Sequence, residues 1–539
     1  EAGRFIGEVV APLHATGDAP GCRFDAGSVT TPPGFRDAYQ AFWQAGWPAL
    51  SCATEDGGQG LPWVLEGVLY EWLSAANHGW TMAPGLLHGA YECLKHHGSD
   101  ALKSRYLGRI ASGEWLATMC LTEPQAGSDL GLVRTRAQPQ ADGSWSLSGS
   151  KIFISGGEHD LTDNIVHLVL ARLPDAPPGP RGLSLFLAPK VLPDGSRNAV
   201  HCDRIEEKMG LHGSPTCAMR FDGATGWLIG EPGRGLNAMF VMMNAARLHV
   251  ALQGLGLLDA AWQKADAYAR ERTQMRVPGP RDASVPSDPI IGHPAVQRLL
   301  DTQRAWVDCG RVLAYQTGLE LDMARHHPDA RRRDAAQRWC SLVTPVLKSA
   351  MTHQAFHGAS DCLQVFGGHG YIREWGVEQI VRDSRVAMIY EGTNEIQAID
   401  LLVRKVLADG GNAMSALLLD LRATLDAAQA DQAEVLRRLA ELRYVTTQLV
   451  HASRHDAQLP YWIADDYLRA VALALLAWAA TRIDAAADHA PDPARWCRST
   501  AALRRWVLPE FAMRMGLLKD HAGPAAMLGA EHPSPATAP

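Results

Sequence analysis

The chain has 539 residues, of which 47% are hydrophobic and 20% are charged, a composition typical of a globular protein with a large core. Its formal net charge is −7, from 51 Lys and Arg against 58 Asp and Glu, and the sequence contains no long basic block. This balance argues against a protein that binds nucleic acid or a membrane surface.

The cysteines and the apolar stretches indicate the cellular compartment and whether the chain spans a membrane. None of the 10 cysteines forms a C-x-x-C pair, so no metal site and no dithiol redox motif is predicted. Scattered thiols in a large chain fit a reducing compartment, and we expect a cytoplasmic protein, although the first residue, Glu1, leaves a removed leader open. The most apolar stretch, residues 470–481 between Arg469 and Arg482, is shorter than the roughly 20 residues of a membrane span, so no span is predicted.

The first half of the chain changes from a helical to a β pattern. Residues 35–47 and 64–94 carry helical spacing and are separated by Gly-rich breaks such as residues 56–60, which predicts an N-terminal helical domain over residues 1–115. Short alternating runs bounded by turn residues follow. They predict a compact middle β domain over residues 116–232.

The second half is helical. Periodicity resumes near Leu236, is interrupted by a Pro-rich loop at residues 278–289, and continues to Leu407, which predicts a helical bundle over residues 233–408. A hinge at residues 409–412 precedes a helical extension over residues 412–525 and a flexible tail over residues 526–539. The predicted fold is therefore mainly α, with a central β domain and a helical C-terminal extension.

Three segments stand out from this background. Residues 119–129 (MCLTEPQAGSD) and 149–157 (GSKIFISGG) read in isolation as a turn and a core strand. The third comprises residues 364–371 (QVFGGHGY) and 389–397 (IYEGTNEIQ). Glu391 in it could simply cap the next helix, but its apolar surroundings would raise the pKa of a buried carboxyl toward the working pH of a general base.

The order and spacing of these segments resemble the acyl-CoA dehydrogenase family over residues 30–405. The helical extension is similar to that of a subgroup that includes the 3-methylmercaptopropionyl-CoA dehydrogenases. The resemblance implies that the middle β domain is barrel-like. It also implies FAD-dependent conversion of an acyl-CoA to the trans-2-enoyl-CoA. Glu391 would be the catalytic base that removes the Cα proton, while N5 of FAD takes the Cβ hydride. Donors aimed at the thioester oxygen, among them the backbone N–H of the base, would stabilise the developing charge.

The same resemblance assigns binding roles by position. The residues implied to bind FAD, some of them across a dimer interface, are Leu121, Thr122, Ser128, Phe153, Ser155, Arg272, Gln274, Gln364, Gly368, Thr393 and Glu395. Those implied to bind the acyl-CoA are Ser128, Asn244, Arg247, Tyr390 and Gly392.

The chain departs from the family pattern at a few positions. Phe153 stands where many members have Trp, Met119 where many have Tyr, and Glu395 where Gln is common. Some branches take the base from the position before Arg247, but Ala246 has no acidic group, which favours Glu391.

Alternative functions share part of this pattern. An acyl-CoA oxidase would differ only in its reaction with oxygen, and a flavin-containing, DNA-associated or non-catalytic relative would be recognised by a basic C-terminal region. Residues 412–539 contain 13 Lys and Arg against 14 Asp and Glu, which disfavours DNA binding. The resemblance further implies a homodimer and an electron-transferring flavoprotein as electron acceptor; the acyl group, a medium or long chain or 3-methylmercaptopropionyl, is left open.

Overall fold

The computed structural model describes residues 1–279 and 284–522, and it divides into two compact units. The first unit comprises Glu1–Lys264 and Ala355–Glu391, and the second comprises Ala265–Gln354 and Gly392–Pro539. The predicted tail, residues 526–539, lies outside the described residues, as does the end of the predicted extension.

Helices make up most of the described chain. The α-helices of six or more residues are α1 (Leu13–Asp18), α2 (Phe35–Gln44), α3 (Trp63–Thr81), α4 (Leu87–His97), α5 (Gly235–Glu271), α6 (Pro294–His326), α7 (Ala330–Phe366), α8 (Val377–Ser384), α9 (Asn394–Ile399), α10 (Asn412–Arg422), α11 (Ala430–Ala452), α12 (Leu459–Ala487), α13 (Pro493–Ala502) and α14 (Pro509–Ala522).

The strands form a small hairpin and one large sheet. They are β1 (Arg23–Asp25), β2 (Ser28–Thr30), β3 (Leu116–Cys120), β4 (Arg136–Pro139), β5 (Trp145–Ser155), β6 (Ile165–Arg172), β7 (Leu183–Pro189), β8 (Val200–Ile205) and β9 (Thr216–Ile229). The hairpin of β1 and β2 is an addition to the N-terminal region, where only helices were predicted.

The large sheet closes on itself. Strand β6 pairs with β4, β4 with β5, β5 with β9, β9 with β7, and β7 returns to β6, while β3 and β8 add to β6 and β9. Closure removes the unpaired edges of an open sheet, so the ring is barrel-like.

Strands β6 and β7 are buried on both faces. Alternate residues of β6, such as Val166 and Leu168, pack in one apolar cluster with the N-terminal helices, whereas Val169 and Ala171 pack in a second cluster inside the sheet. Successive side chains of a strand point to opposite faces, so the near-continuous apolar run of β6 contributes to both apolar clusters.

Helix α3 is broken where the sequence predicted continuity. Asn77 has φ −160° and ψ 90°, its side-chain oxygen accepts the backbone N–H of Trp80 at 3.1 Å, and its carbonyl accepts the hydroxyl of Thr81. An Asn side chain competes with the helical ladder and caps a new turn. The last turn of α3 therefore starts afresh at His78.

In the second unit, α12 is the central helix of the extension. It packs on α14, α6, α11, α13 and α9. The guanidinium of Arg469 donates to Glu510 at 2.9 Å and lies 4.7 Å from the ring centre of Trp306. These contacts accommodate the charge of Arg469, which precedes the apolar stretch in the sequence, inside a continuous helix. By length and composition α12 could cross a membrane, but 78% of its most apolar window is buried inside the protein, which is also the pattern of a core helix.

These elements confirm the predicted fold class, mainly α with a central β-sheet domain and additional C-terminal helices. The strands of the large sheet fall between Leu116 and Ile229, and α10 begins at Asn412, the last residue of the predicted hinge. The domain boundaries themselves stay predictions.

Candidate active site

Glu391 lies in a sharp turn between two helical segments. A short 3-10 helix, Arg385–Met388, precedes it, and α9 begins three residues after it. Glu391 has φ +55° and Gly392 has φ +86°, so two consecutive residues adopt the left-handed conformation. Glycine does so freely, whereas for glutamate the conformation costs about 1–2 kcal/mol. Surrounding contacts must hold such a turn, and strain of this kind concentrates at functional sites.

In the first unit, the turn is anchored through the side chain that precedes Glu391. The hydroxyl of Tyr390 donates to Oε1 of Gln253 at 2.6 Å and lies 3.3 Å from Nε2 of His78. Burial, with the neighbouring Glu391 carboxylate, raises the pKa of the Tyr390 phenol well above its usual value. Tyr390 is therefore a neutral hydrogen-bonding group.

In the second unit, the residues after Glu391 are anchored by a buried lysine. The ammonium of Lys348, which is fully buried, donates to the carbonyl of Gly392 at 2.8 Å and to Oδ1 of Asn394 at 3.1 Å. The hydroxyl of Thr393 accepts the backbone N–H of Ile396 at 3.3 Å and so caps α9. The residues that follow Glu391 therefore have a fixed conformation.

A second buried lysine orders the loop after β3. The ammonium of Lys151, fully buried on β5, donates to the carbonyl of Leu121 at 2.9 Å and to Oε1 of Glu123 at 2.8 Å. Glu123 also accepts the backbone N–H groups of Arg134 and Thr135 at 2.7 and 3.0 Å. Burial alone would raise the pKa of Glu123, but Lys151 holds it at about 2. Glu123 is thus a carboxylate that ties the two ends of the loop together.

The strand that carries Lys151 bulges immediately afterwards. Ile152 and Phe153 on β5 face the single residue Ala218 on β9, and the backbone N–H of Ile152 instead donates to the carbonyl of Thr122 at 2.9 Å. Phe153 has φ +60° and its side chain is 61% exposed. A bulge redirects side chains at the edge of a sheet. Here it presents an aromatic ring beside the loop that carries Thr122.

These residues fit the FAD that the resemblance implies. An exposed aromatic ring suits the flat face of a flavin, and the hydroxyls of Thr122 and Ser155 suit its ring heteroatoms. Gly127 lies in the same loop, and a side-chain carbon placed there would meet no atom within 4 Å, so the backbone is open to close approach. Ser128 is exposed. The roles of these residues stay predictions.

The other predicted site residues of the first unit lie on helices. Gln364 and Gly368 are exposed at the end of α7 and in the 3-10 turn after it. On α5, Asn244 is exposed, whereas Arg247 and Ala246 are buried.

The predicted site residues of the second unit are mostly at the surface. Arg272 and Gln274 follow α5 and are exposed; their backbone pairs with Ile290 and Asp288. Thr393 is half-buried and Glu395 is exposed. Glu391, the last residue of the first unit, has a half-buried side chain, and the predicted rise of its pKa stays a prediction.

Sequence reasoning missed the residues that hold the site. Lys151 and Glu123 lie inside the motifs quoted above. A lysine within a buried strand is unusual, and this could have identified the pair from the sequence. Lys348, Gln253 and His78 carry no local signal, because each lies in an ordinary helical pattern and meets its partner only in the folded chain.

Comparison with known proteins gives consistent matches along the chain. Models of the N-terminal, middle and C-terminal domains of acyl-CoA dehydrogenase match residues 1–114, 118–224 and 233–407. The 3-methylmercaptopropionyl-CoA dehydrogenase of Ruegeria pomeroyi is 46% identical over 452 residues, which are 82% of this chain and 76% of that protein.

Solved structures give the same picture. An acyl-CoA dehydrogenase of Bacillus anthracis complexed with FAD has a TM-score of 0.79 at 21% identity, covers 98% of this chain and 88% of its own, and shows the shared fold. A chain solved in work on the electron transferring flavoprotein of Acidaminococcus fermentans has a TM-score of 0.62 at 25% identity and covers 74% of this chain and 94% of its own.

Proposed function

The chain belongs to the acyl-CoA dehydrogenase family, and from this premise we propose that Glu391 is the base that removes the Cα proton of the acyl-CoA thioester. The protein is an FAD-dependent oxidoreductase that dehydrogenates an acyl-CoA between Cα and Cβ. When bound, FAD supplies the acceptor for the hydride that leaves Cβ. The chain must hold the thioester, take the Cα proton and exclude water.

The conformation of the Glu391 turn is the observation that carries this proposal. A left-handed glutamate is rare, and here residues on both sides of it are anchored by buried side chains. Such anchoring keeps a carboxylate oriented toward one reacting atom. The backbone N–H of the same residue would donate to the thioester oxygen and stabilise the charge that develops as the proton leaves.

The test is anaerobic titration of the protein with acyl-CoA thioesters while the flavin absorbance is followed, for wild type and Glu391→Gln. We expect the wild-type flavin to bleach and the variant to reduce at least about 100-fold more slowly, since a positioned general base contributes about 10²–10⁴-fold. A wild-type flavin that stays oxidised with the whole panel contradicts the dehydrogenase, and a variant as fast as wild type contradicts Glu391 as the base.

For the substrate we propose 3-methylmercaptopropionyl-CoA, supported by the 46% identity to the Ruegeria pomeroyi enzyme. Pentanoyl-CoA is the matched control because it replaces the sulfur by a methylene. Because the two chains have the same length, a difference between them reports on the sulfur itself, and we expect a higher kcat/KM for the sulfur compound. Higher kcat/KM for pentanoyl-CoA or for a longer chain would make this substrate assignment wrong and leave the dehydrogenase intact.

We further propose that the electrons pass to an electron-transferring flavoprotein. The likeness to a chain solved in work on such a flavoprotein supports this partner. Turnover in air with and without added electron-transferring flavoprotein separates a dehydrogenase from an oxidase, because an oxidase would turn over without it.

A homodimer is the proposed assembly. Beside the exposed Gln364 and Gly368, which the resemblance assigns to a partner's FAD, Tyr371 is 83% exposed and Ile372 is 51% exposed. Adjacent exposed apolar side chains favour a protein contact. Light scattering should give twice the chain mass, and Tyr371→Glu should shift the protein toward monomer; a tetramer mass would contradict the dimer.

A cytoplasmic location is likewise proposed. The 10 cysteines are all free thiols, and nine of them are at least partly buried, as suits a reducing compartment. Fractionation of the source cells would test it, and recovery outside the cytoplasm would contradict it.

A further inference from the structure

A buried polar contact lies beside the proposed base in the first unit. The hydroxyl of Tyr390 donates to Oε1 of Gln253 at 2.6 Å, and Nε2 of His78 and Sδ of Met82 lie 3.3 and 3.8 Å from the same hydroxyl. Gln253 is 6% exposed and His78 is fully buried. A short hydrogen bond to a buried acceptor is stronger than one at the surface.

The three side chains of this contact come from separate parts of the first unit. Gln253 lies on α5, 137 residues from Tyr390, and His78 lies on α3, 312 residues away. His78 is the first residue after the break of α3 at Asn77, so the break sets where its ring lies. Tyr390 itself follows α8 and donates its backbone N–H to the carbonyl of Val386 at 3.1 Å.

The protonation states follow from burial. Burial, with a contribution from His14, lowers the pKa of His78 to about 3, so its ring is neutral at neutral pH. The single proton of Tyr390 goes to Gln253, and the hydroxyl oxygen is left to accept from His78. Within the described part of the chain, Nδ1 of His78 has no hydrogen-bond partner, which agrees with a proton on Nε2. The neutral side chains of His78, Tyr390 and Gln253 therefore form a chain of hydrogen bonds, in which His78 donates to Tyr390 and Tyr390 donates to Gln253.

This chain of hydrogen bonds passes through Tyr390, next to Glu391, the residue with the strained backbone. Glu391 is the next residue along the chain and holds φ +55°. Without an anchor, the turn would relax toward an ordinary backbone conformation and carry the carboxylate with it. A displacement of about 1 Å is enough to cost on the order of 100-fold in rate when reacting groups must be aligned.

We propose that Tyr390, Gln253 and His78 are positioning residues for the abstraction of the Cα proton. Their hydrogen bonds hold the left-handed Glu391 turn in the orientation that proton transfer requires. This role rests on the proposed function of Glu391 and assigns the Tyr390 hydroxyl to the protein interior.

The test is stopped-flow reduction of the flavin by 3-methylmercaptopropionyl-CoA, with and without deuterium at Cα, in Tyr390→Phe and Gln253→Leu. We expect the limiting reduction rate to fall about tenfold, equivalent to roughly 1.4 kcal/mol of barrier. The Kd for substrate and the flavin spectrum should not change, and the isotope effect at Cα should rise. The double variant should be no slower than Tyr390→Phe, because both changes remove one hydrogen bond.

Tyr39→Phe is the matched control. The buried Tyr39 hydroxyl donates to the carbonyl of Gly113 at 2.6 Å, so the variant loses a hydrogen bond of the same length that involves none of Tyr390, Gln253 and His78. We expect a lower Tm with an unchanged reduction rate. If Tyr390→Phe does not fold, Gln253→Leu alone decides the matter.

Several results would overturn the inference. A wild-type reduction rate in Tyr390→Phe or Gln253→Leu excludes positioning through this hydrogen bond. A change confined to the Kd for substrate makes Tyr390 a binding residue instead. A slow Glu391→Gln beside unimpaired Tyr390 and Gln253 variants overturns this inference alone, whereas a wild-type flavin that no acyl-CoA reduces overturns the proposed function and this inference with it.

Discussion

At the scale of single residues, the pair formed by Lys151 and Glu123 shows how a buried ion pair can order a loop, here the loop of the proposed FAD site. Both side chains are almost completely buried, and the ammonium also holds the carbonyl of Leu121. Removing one member of a buried pair leaves the other without compensation. The pair therefore fixes the loop that carries Thr122 against the bulge that presents Phe153.

Replacement of Lys151 by Met should weaken both folding and FAD binding. We expect the free energy of unfolding to fall by about 3–5 kcal/mol, because Glu123 stays buried and charged. The double variant Lys151→Met/Glu123→Gln should recover part of that loss, since it leaves no unpaired charge. Thermal unfolding and the Kd of FAD for the apoprotein measure the two effects, and a Lys151→Met protein with wild-type values of both would contradict this role.

At the scale of elements, Asp383 joins α8 to the turn before β9. Its Oδ1 accepts the backbone N–H of Leu211 at 2.6 Å, and Leu211 has φ +55°. The neighbouring Gly210 lies so close that a side-chain carbon there would approach the Asp383 carboxylate to 2.6 Å. This contact lies in the helix that leads to the Glu391 turn.

The carboxyl of Asp383 should make stability depend on pH. Burial raises its pKa from 3.8 to about 6, so the folded protein holds the proton more tightly than the unfolded chain. The stabilisation is complete below pH 3.8 and is lost as pH rises through 6. Between pH 5 and 7.5 the wild type should lose roughly 1 kcal/mol more than Asp383→Asn. Urea unfolding at the two pH values measures the difference, and equal losses would contradict the shifted pKa.

At the scale of the whole molecule, the C-terminal extension is an integral part of the second unit. Helix α12 packs on α6 and α9, which precede the extension in the sequence, and Arg495 of α13 donates to the fully buried carboxylate of Asp308 at 2.8 Å. The extension thus covers apolar and charged surface of the family core.

A chain ending at Gly411 should therefore fail to give a soluble, monodisperse protein. Loss of the extension would expose the apolar faces that α12 buries on α6 and α9, and such surfaces drive aggregation. Glu510→Gln keeps every helix and should fold, with a loss of about 1–3 kcal/mol from the weakened bond to Arg469. Soluble yield and size-exclusion profile compare the two; a soluble truncated protein would contradict the integral role.

Local patterns were enough for the fold class. Helical spacing identified α2 and α5 to within a few residues, and alternating runs identified the domain that holds the large sheet. These features are local in the chain, since helical and strand periods depend on residues within a few positions. Glu391 was proposed as the base from the resemblance of three separate segments to the acyl-CoA dehydrogenase family, not from its local sequence alone.

Contacts between distant residues were decided only by the tertiary structure. Tyr390 meets Gln253 across 137 residues, Asp383 meets Leu211 across 172, and Lys151 meets Glu123 across 28. The break of α3 and the closure of the sheet through β4 and β6 were likewise not evident from periodicity. The sequence by itself therefore determined the family, the order of its elements and the proposed base. The folded chain decided which buried groups hold that base, because such pairing depends on packing between segments and leaves no periodic trace in either one.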